Sequence, residues 1–272
     1  MPNAKEKPMK NTFKPIGKTG ELFYVFGTIL CSLGVCLSAK SGFGVSMVVA
    51  PAYVLSCFLQ PKIPFFTFGN TEYVVQGLFI IVLALVVGKF KLKYPLSFVT
   101  CVLYGLMLDG WRSLFGREVF TEPYMRIISM ILGAVITAIA IALYLRTYMP
   151  QQGYDMFVYE IATEKKLKMN VVKWIYDVSS LILAIVLMLV LFNRFDLEMV
   201  GIGTLILTIV NTPLIIGFGK LLDKIFIPTP AFKCFAEKLF SYRVNDEDTP
   251  SHSAAAIKAN ADKAADNDGC PR

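Results

Sequence analysis

Apolar windows of about 20 residues, nearly free of charge, recur along most of this chain, and each is long enough to cross a hydrocarbon core of about 30 Å. In lipid every backbone amide must be satisfied internally, so these windows are helices. Composition agrees. The chain of 272 residues is 55% hydrophobic and only 17% charged, whereas soluble domains carry roughly a quarter charged residues. The class is all-α: a polytopic helical membrane protein. The apolar run Leu22–Leu37 lacks a small-residue cleavage site before a soluble domain, so it is expected as the first span rather than a signal peptide.

Two stretches interrupt the pattern. Lys40-Ser-Gly-Phe-Gly-Val-Ser-Met47 follows the first span, Glu21–Ala39. Pro150-Gln-Gln-Gly153-Tyr-Asp155-Met156 follows the span Tyr124–Tyr148. In each, a long apolar helix runs into glycine and polar residues at membrane depth, and a short helix follows. The first short helix is expected over Val45–Leu59, with Pro51 near its middle; it reaches about 22 Å, less than the core thickness. The second, Tyr154–Thr163, carries Asp155 and Glu160 and cannot span.

The other spans read Glu72–Val87, with Asn70 or Thr71 as its cap, Pro95–Leu114, Val171–Phe192 and Val200–Leu222. The order repeats. With Gly44 placed on Gly153, Ser46 falls on Asp155 and Met47 on Met156. Each half then carries a polar pair four residues apart, Glu72/Gln76 and Lys173/Asp177, on one helix face. The separation from Glu72 to Asp109 matches that from Lys173 to Asn211 to within one residue. Four matches in order predict a duplication. The expected division is a basic leader at 1–19, repeat one at 20–115, a linker at 116–123, repeat two at 124–225, an interfacial segment at 226–242 and a disordered tail at 243–272. The expected architecture is two homologous halves, with six full spans and two short broken helices. If the short helices re-enter, the halves are inverted; if they cross, the halves are parallel. Loop charges leave both open, and length favours re-entry.

Ionisable groups inside spans are costly and usually face a bundle interior or a wet cavity. The expected substrate-binding residues are Ser46, Glu72, Gln76, Asp109, Asp155, Lys173, Asp177 and Asn211. Gly42, Gly44 and Gly153 are the expected helix-break glycines, permitting φ values that other residues avoid. Asp109 and Asn211 stand in otherwise apolar helices, while other polar residues have plainer alternatives. Lys40 and Arg146 could snorkel to the interface, Asp155 could cap its helix, and Lys173 and Asp177 could simply pair. Tyr24, Trp111, Tyr148 and Trp174 suit interface belts. Gly201, Gly203, Gly217 and Gly219 suit close packing in the last span.

Other classes find little support. The formal charge of +7 fits a positive-inside bias rather than nucleic-acid binding, since there is no basic soluble domain. The six cysteines form no CxxC pair and the only histidine is His252, so no disulfide, metal or cofactor is expected. HExxH, GxSxG and P-loop motifs are missing, and no enzyme activity is expected.

The Gly42-Phe-Gly44 and Pro150-Gln-Gln-Gly153-Tyr-Asp155 breaks, the Lys173-x3-Asp177 opening and the Gly69-Asn-Thr-Glu…Gln76 run resemble the YczE/YitT-like bacterial membrane proteins. The resemblance covers roughly residues 20–225. It departs at the second break, where the order of proline and glycine differs, and Lys173 and Asp177 stand where that family usually has arginine and glutamate. It implies a bacterial cytoplasmic membrane, and it does not supply an activity.

The expected function is transport of a small polar or ionic solute through a midplane site between the repeats, with Asp109 or Glu72 coupling a cation or proton. The alternative is a non-transporting accessory that supports a lipid- or peptide-modifying complex and docks through its tail. Expected partners are membrane lipid and the unidentified solute, with a homo-oligomer allowed and no nucleic acid. Both termini are expected in the cytoplasm.

Overall fold

A computed structural model describes residues 20–88, 93–116, 118–145, 147, 149–150 and 152–225. The leader 1–19, Arg146, Tyr148, the interfacial segment 226–242 and the tail 243–272 lie outside the described residues. Among the described residues eight helices follow in order: α1 Gly20–Ser41, α2 Ala50–Leu59, α3 Phe68–Val87, α4 Lys93–Phe115, α5 Pro123–Tyr144, α6 Gly153–Glu164, α7 Met169–Phe192 and α8 Ile202–Ile225. Among the described residues there is no strand. Stretches of α1, α3, α5, α7 and α8 are long and apolar enough to cross a membrane. Helix α4 has 23 residues but carries Lys93, Asp109 and Arg112. Large apolar side chains such as Leu85, Val190 and Ile202 point outward; on a soluble protein such a surface would be a liability, and here it suits hydrocarbon. The all-α, multi-pass membrane class is therefore as the sequence indicates.

Local chemistry sets the helix ends. Thr67 is the N-cap of α3, its hydroxyl accepting from Asn70 N at 3.2 Å. The expected cap at Asn70 or Thr71 is corrected, because the helix begins before both. Pro51 lies in the first turn of α2, not at its middle, since residues 47–49 form a turn. Proline is tolerated there because the first amides have no helical acceptor. Gly88 (φ 68) and Asn193 (φ 51) end α3 and α7 in the left-handed region. Helix α5 ends at Tyr144, short of the expected Tyr148.

Contacts along the helices fix their relative directions. Gly27 lies against Tyr144, Gly34 against Thr137, and Ser41 O accepts from Arg126 Nε. As the chain advances along α1 it retreats along α5, so the two are antiparallel. Their backbones touch where Gly34 meets Gly133; a Cβ on Gly133 would lie 2.8 Å from Gly34 O. Helix α4 runs parallel to α1, because Tyr24 bonds Thr100 at 2.8 Å near one end while Lys40 bonds Gly116 O at 3.1 Å near the other. Helix α3 is antiparallel to α4, pairing Gly69 with Gly105 and Gly77 with Phe98.

The end of α1 and the start of α3 therefore lie at the same end of α4: Lys40 meets Gly116, and Thr67 meets Asp109. Helix α2 leaves that end and the chain returns to it. Helix α6 starts level with Gln76 and Cys101, midway along α3 and α4, and Glu160 then approaches Lys93 at the start of α4 (3.8 Å). Helix α6 thus begins at mid-depth.

The core lies along α1. Tyr24 belongs to it, buried and edge-on to Tyr144, which corrects its expected place in an interface belt. Trp174 is exposed on α7. Gly201 and Gly203 pack on Phe43 O as the close-packing expectation requires, whereas a side chain on Gly217 would meet open space.

Candidate functional site

The two breaks are built differently. At the first, Gly42 (φ 62) and Gly44 (φ 98) adopt the left-handed region that residues with a Cβ avoid. Arg126 of α5 holds this turn by donating to Ser41 O (2.7 Å) and Gly42 O (2.8 Å), and it pairs with Glu198 at 3.3 Å. Gly153 at the second break is not left-handed. It is the first residue of α6, and a Cβ there would lie 3.1 Å from Gln76 O. The glycine is needed for close approach, which corrects the expectation of a positive φ.

Around Gly153 the first half closes. Gly153 N, one of the amides that a helix start leaves without a helical acceptor, donates to Gln76 Oε1 at 2.9 Å and to Cys101 Sγ at 3.2 Å. The Cys101 thiol donates to Gln76 Oε1 at 3.0 Å, and Gln76 Nε2 reaches Glu72 Oε1 at 3.5 Å. Tyr154 OH donates to Glu72 Oε2 at 3.2 Å. Glu72 and Gln76 are fully buried, and their spacing of four puts both on the face of α3 that meets α6.

A cavity of about 110 Å³ lies between the first and second halves, lined by α1, α4, α5, α6, α7, α8 and the turn before α2. It has room for several waters or one small solute. Of the expected site residues, Ser46, Asp155, Lys173, Asp177 and Asn211 line it. Asp177 is only 8% exposed. Its Oδ1 and Asn211 Oδ1 are both buried without a hydrogen-bond partner. Lys173, four residues before it, thus leaves Asp177 Oδ1 without a hydrogen bond. Tyr154 also lines the cavity, and its hydroxyl bonds Glu72. Glu72 and Gln76 thus stand behind the cavity wall, one side chain removed.

Asp109 is elsewhere. Its Oδ1 accepts from Gly69 N at 2.9 Å and its Oδ2 accepts from the Thr67 hydroxyl, so it caps α3 across the α3–α4 contact. Lys40 neither snorkels nor lines the cavity. It is 4% exposed and donates to Gly116 O and to Glu118 O (2.6 Å), stapling the α4–α5 loop to the end of α1.

Several lining residues carried no signal in the sequence. Tyr104, Tyr144 and Gln152 line the cavity, yet tyrosines in apolar helices are as often core as site. Thr208 and Thr212 were detectable. They flank Asn211 at spacings that put all three on one face of α8.

A protein-family model matches residues 18–220 of this chain. The chain belongs to the DUF6198 family, a family of unknown function. It is also 24% identical over 207 residues to the uncharacterized protein YyaS of Bacillus subtilis (strain 168), covering 76% of this chain and 95% of that one. Neither match carries the YczE or YitT name to which the sequence motifs pointed. No solved structure matches the chain.

Proposed function

We propose that this DUF6198 protein is a transporter of a small polar or ionic solute, with no catalytic chemistry of its own, built from two inverted repeats in a bacterial cytoplasmic membrane. Six helices cross the bilayer; α2 and α6 enter and return. Both termini lie in the cytoplasm. The observation that carries this reading is the polar cavity at the starts of two short helices, between halves whose first helices run antiparallel. Inverted repeats with helices broken at mid-depth place solute sites there in a recurring transporter plan. A buried carboxylate oxygen without a hydrogen-bond donor, as at Asp177 Oδ1, is expensive in such a setting, and solute binding is a function that would offset the cost.

The test is accessibility. Thr212 lines the cavity and is exposed. A Thr212→Cys chain in sealed vesicles of known orientation is treated with a membrane-impermeant maleimide, with the unsubstituted chain as blank. Labelling from one side only is expected. Labelling from neither side, in protein that still elutes as a single species, would remove the wet pathway. Equal labelling from both sides would indicate an open pore rather than a transporter.

A further inference from the structure

We infer that the cavity between α7 and α8 takes a short alkylammonium cation, with Asp177 and Asn211 accepting from its ammonium group. The inference rests on the cavity being the solute site proposed above, and it goes on to give that solute a chemical class.

Both unpartnered lining atoms are oxygens, Asp177 Oδ1 and Asn211 Oδ1. A carboxylate oxygen and an amide oxygen are acceptors only, so what completes them is a donor or a cation. The lining charges agree. Asp155 and Asp177 stand against Lys173 alone, leaving one negative charge in excess. Lys173 is exposed whereas Asp177 is 8% exposed, so water and salt screen the lysine more than the aspartate. An anion would therefore meet buried acceptors and a screened cation.

The choice of an ammonium follows from the remaining lining. The two oxygens come from different helices, α7 and α8, and a primary ammonium has three directed N–H donors to bridge them. Val35, Ile141 and Ile215 supply an apolar wall, which suits a short alkyl group, and small-molecule sites commonly combine apolar walls with a few placed polar groups. The volume of about 110 Å³ restricts the ligand to a few heavy atoms.

The full chain, purified in detergent, is titrated with propylammonium by calorimetry, and with sodium, potassium and propionate in parallel. Saturable binding of propylammonium is expected, with other short primary amines competing and the three controls failing to compete. Asp177→Asn should weaken binding at least tenfold, with unchanged gel-filtration elution as the check on folding. Asn211→Asp adds a second carboxylate at the other acceptor and should tighten binding severalfold, a gain that a misfolded chain cannot mimic. On the Thr212→Cys chain, propylammonium should slow maleimide labelling.

Four results would overturn the inference: no saturable binding, preference for propionate, binding of alkali ions alone, or an Asp177→Asn chain that binds as tightly as the parent. The two readings fail separately. If Thr212→Cys is labelled from one side and propylammonium gives no protection, the ammonium assignment falls while the transport pathway stands.

Discussion

Between α3 and α4 two glycines let the backbones touch, Gly69 against Gly105, and a Cβ on Gly105 would lie 2.5 Å from Gly69 O. In the repeat register that sets Glu72 on Lys173 and Asp109 on Asn211, the matching positions of the second half carry Asn170 and Leu207. Helices α7 and α8 stand apart, with the cavity between them. The same difference runs through the polar residues. Gln76 accepts from the start of α6, while its counterpart Asp177 has an oxygen with no partner. Asp109 caps α3, while its counterpart Asn211 faces the cavity. In the register expected of a duplication, the α3–α4 contact is sealed and the place matching it, between α7 and α8, is open to the cavity. A few residues decide which: small ones where helices must touch, and acceptors left without donors where they must not.

The comparison breaks most readily at the sealed contact. Gly105→Leu places a side chain against Gly69 O and should cost about 3 kcal/mol through overpacking, lowering the melting temperature by roughly 6–12 °C in detergent. Leu207→Met, at the matching place in the second half, should cost under about 1.5 kcal/mol because volume is conserved. Equal effects in a thermal-shift assay would mean that the glycine contact does not distinguish the halves.

Next in size is Asp109→Ala. It strips a charged acceptor from Gly69 N and from the Thr67 hydroxyl and should cost about 2 kcal/mol. Propylammonium binding should remain; its loss would return Asp109 to the site where the sequence placed it. Thr67→Val, which removes the N-cap of α3, should cost about 1 kcal/mol. The smallest change is expected from Asp177→Asn. Neutralising a buried acceptor without a partner relieves a desolvation cost, so the melting temperature of the ligand-free chain should hold or rise. A fall comparable to that of Asp109→Ala would show that Asp177 supports the fold in the way Asp109 does.

Helix existence was legible because membrane spans announce themselves by length and apolarity, and the two breaks stood out as glycine beside polar residues. Superposing Gly44 on Gly153 set Ser46 on Asp155, and both residues line the cavity. The direction of α5 relative to α1 was not legible, since loop charges were balanced between the two topologies. It emerges only from which residues of α1 meet which of α5 and α4. Asp109 misled for a physical reason. A carboxylate in an apolar helix signals function when nothing satisfies it, and its partners, Gly69 N and Thr67, lie on another helix forty residues away. Cys101 and Tyr154 were invisible for the converse reason, because their residue types are ordinary in apolar helices until geometry gives them Gln76 and Glu72 to bond.

The antiparallel pairing of α1 with α5 also governs how the molecule is made. Helix α1 emerges from the ribosome first, yet the partner along its length emerges about 100 residues later, a delay of roughly 5–20 s at ordinary rates of translation. Until then Thr28 and Ser38, whose final places lie in or beside that pairing, have no completed interface. A nascent chain stalled after the first half would leave the Gly27 and Gly34 face of α1 uncovered.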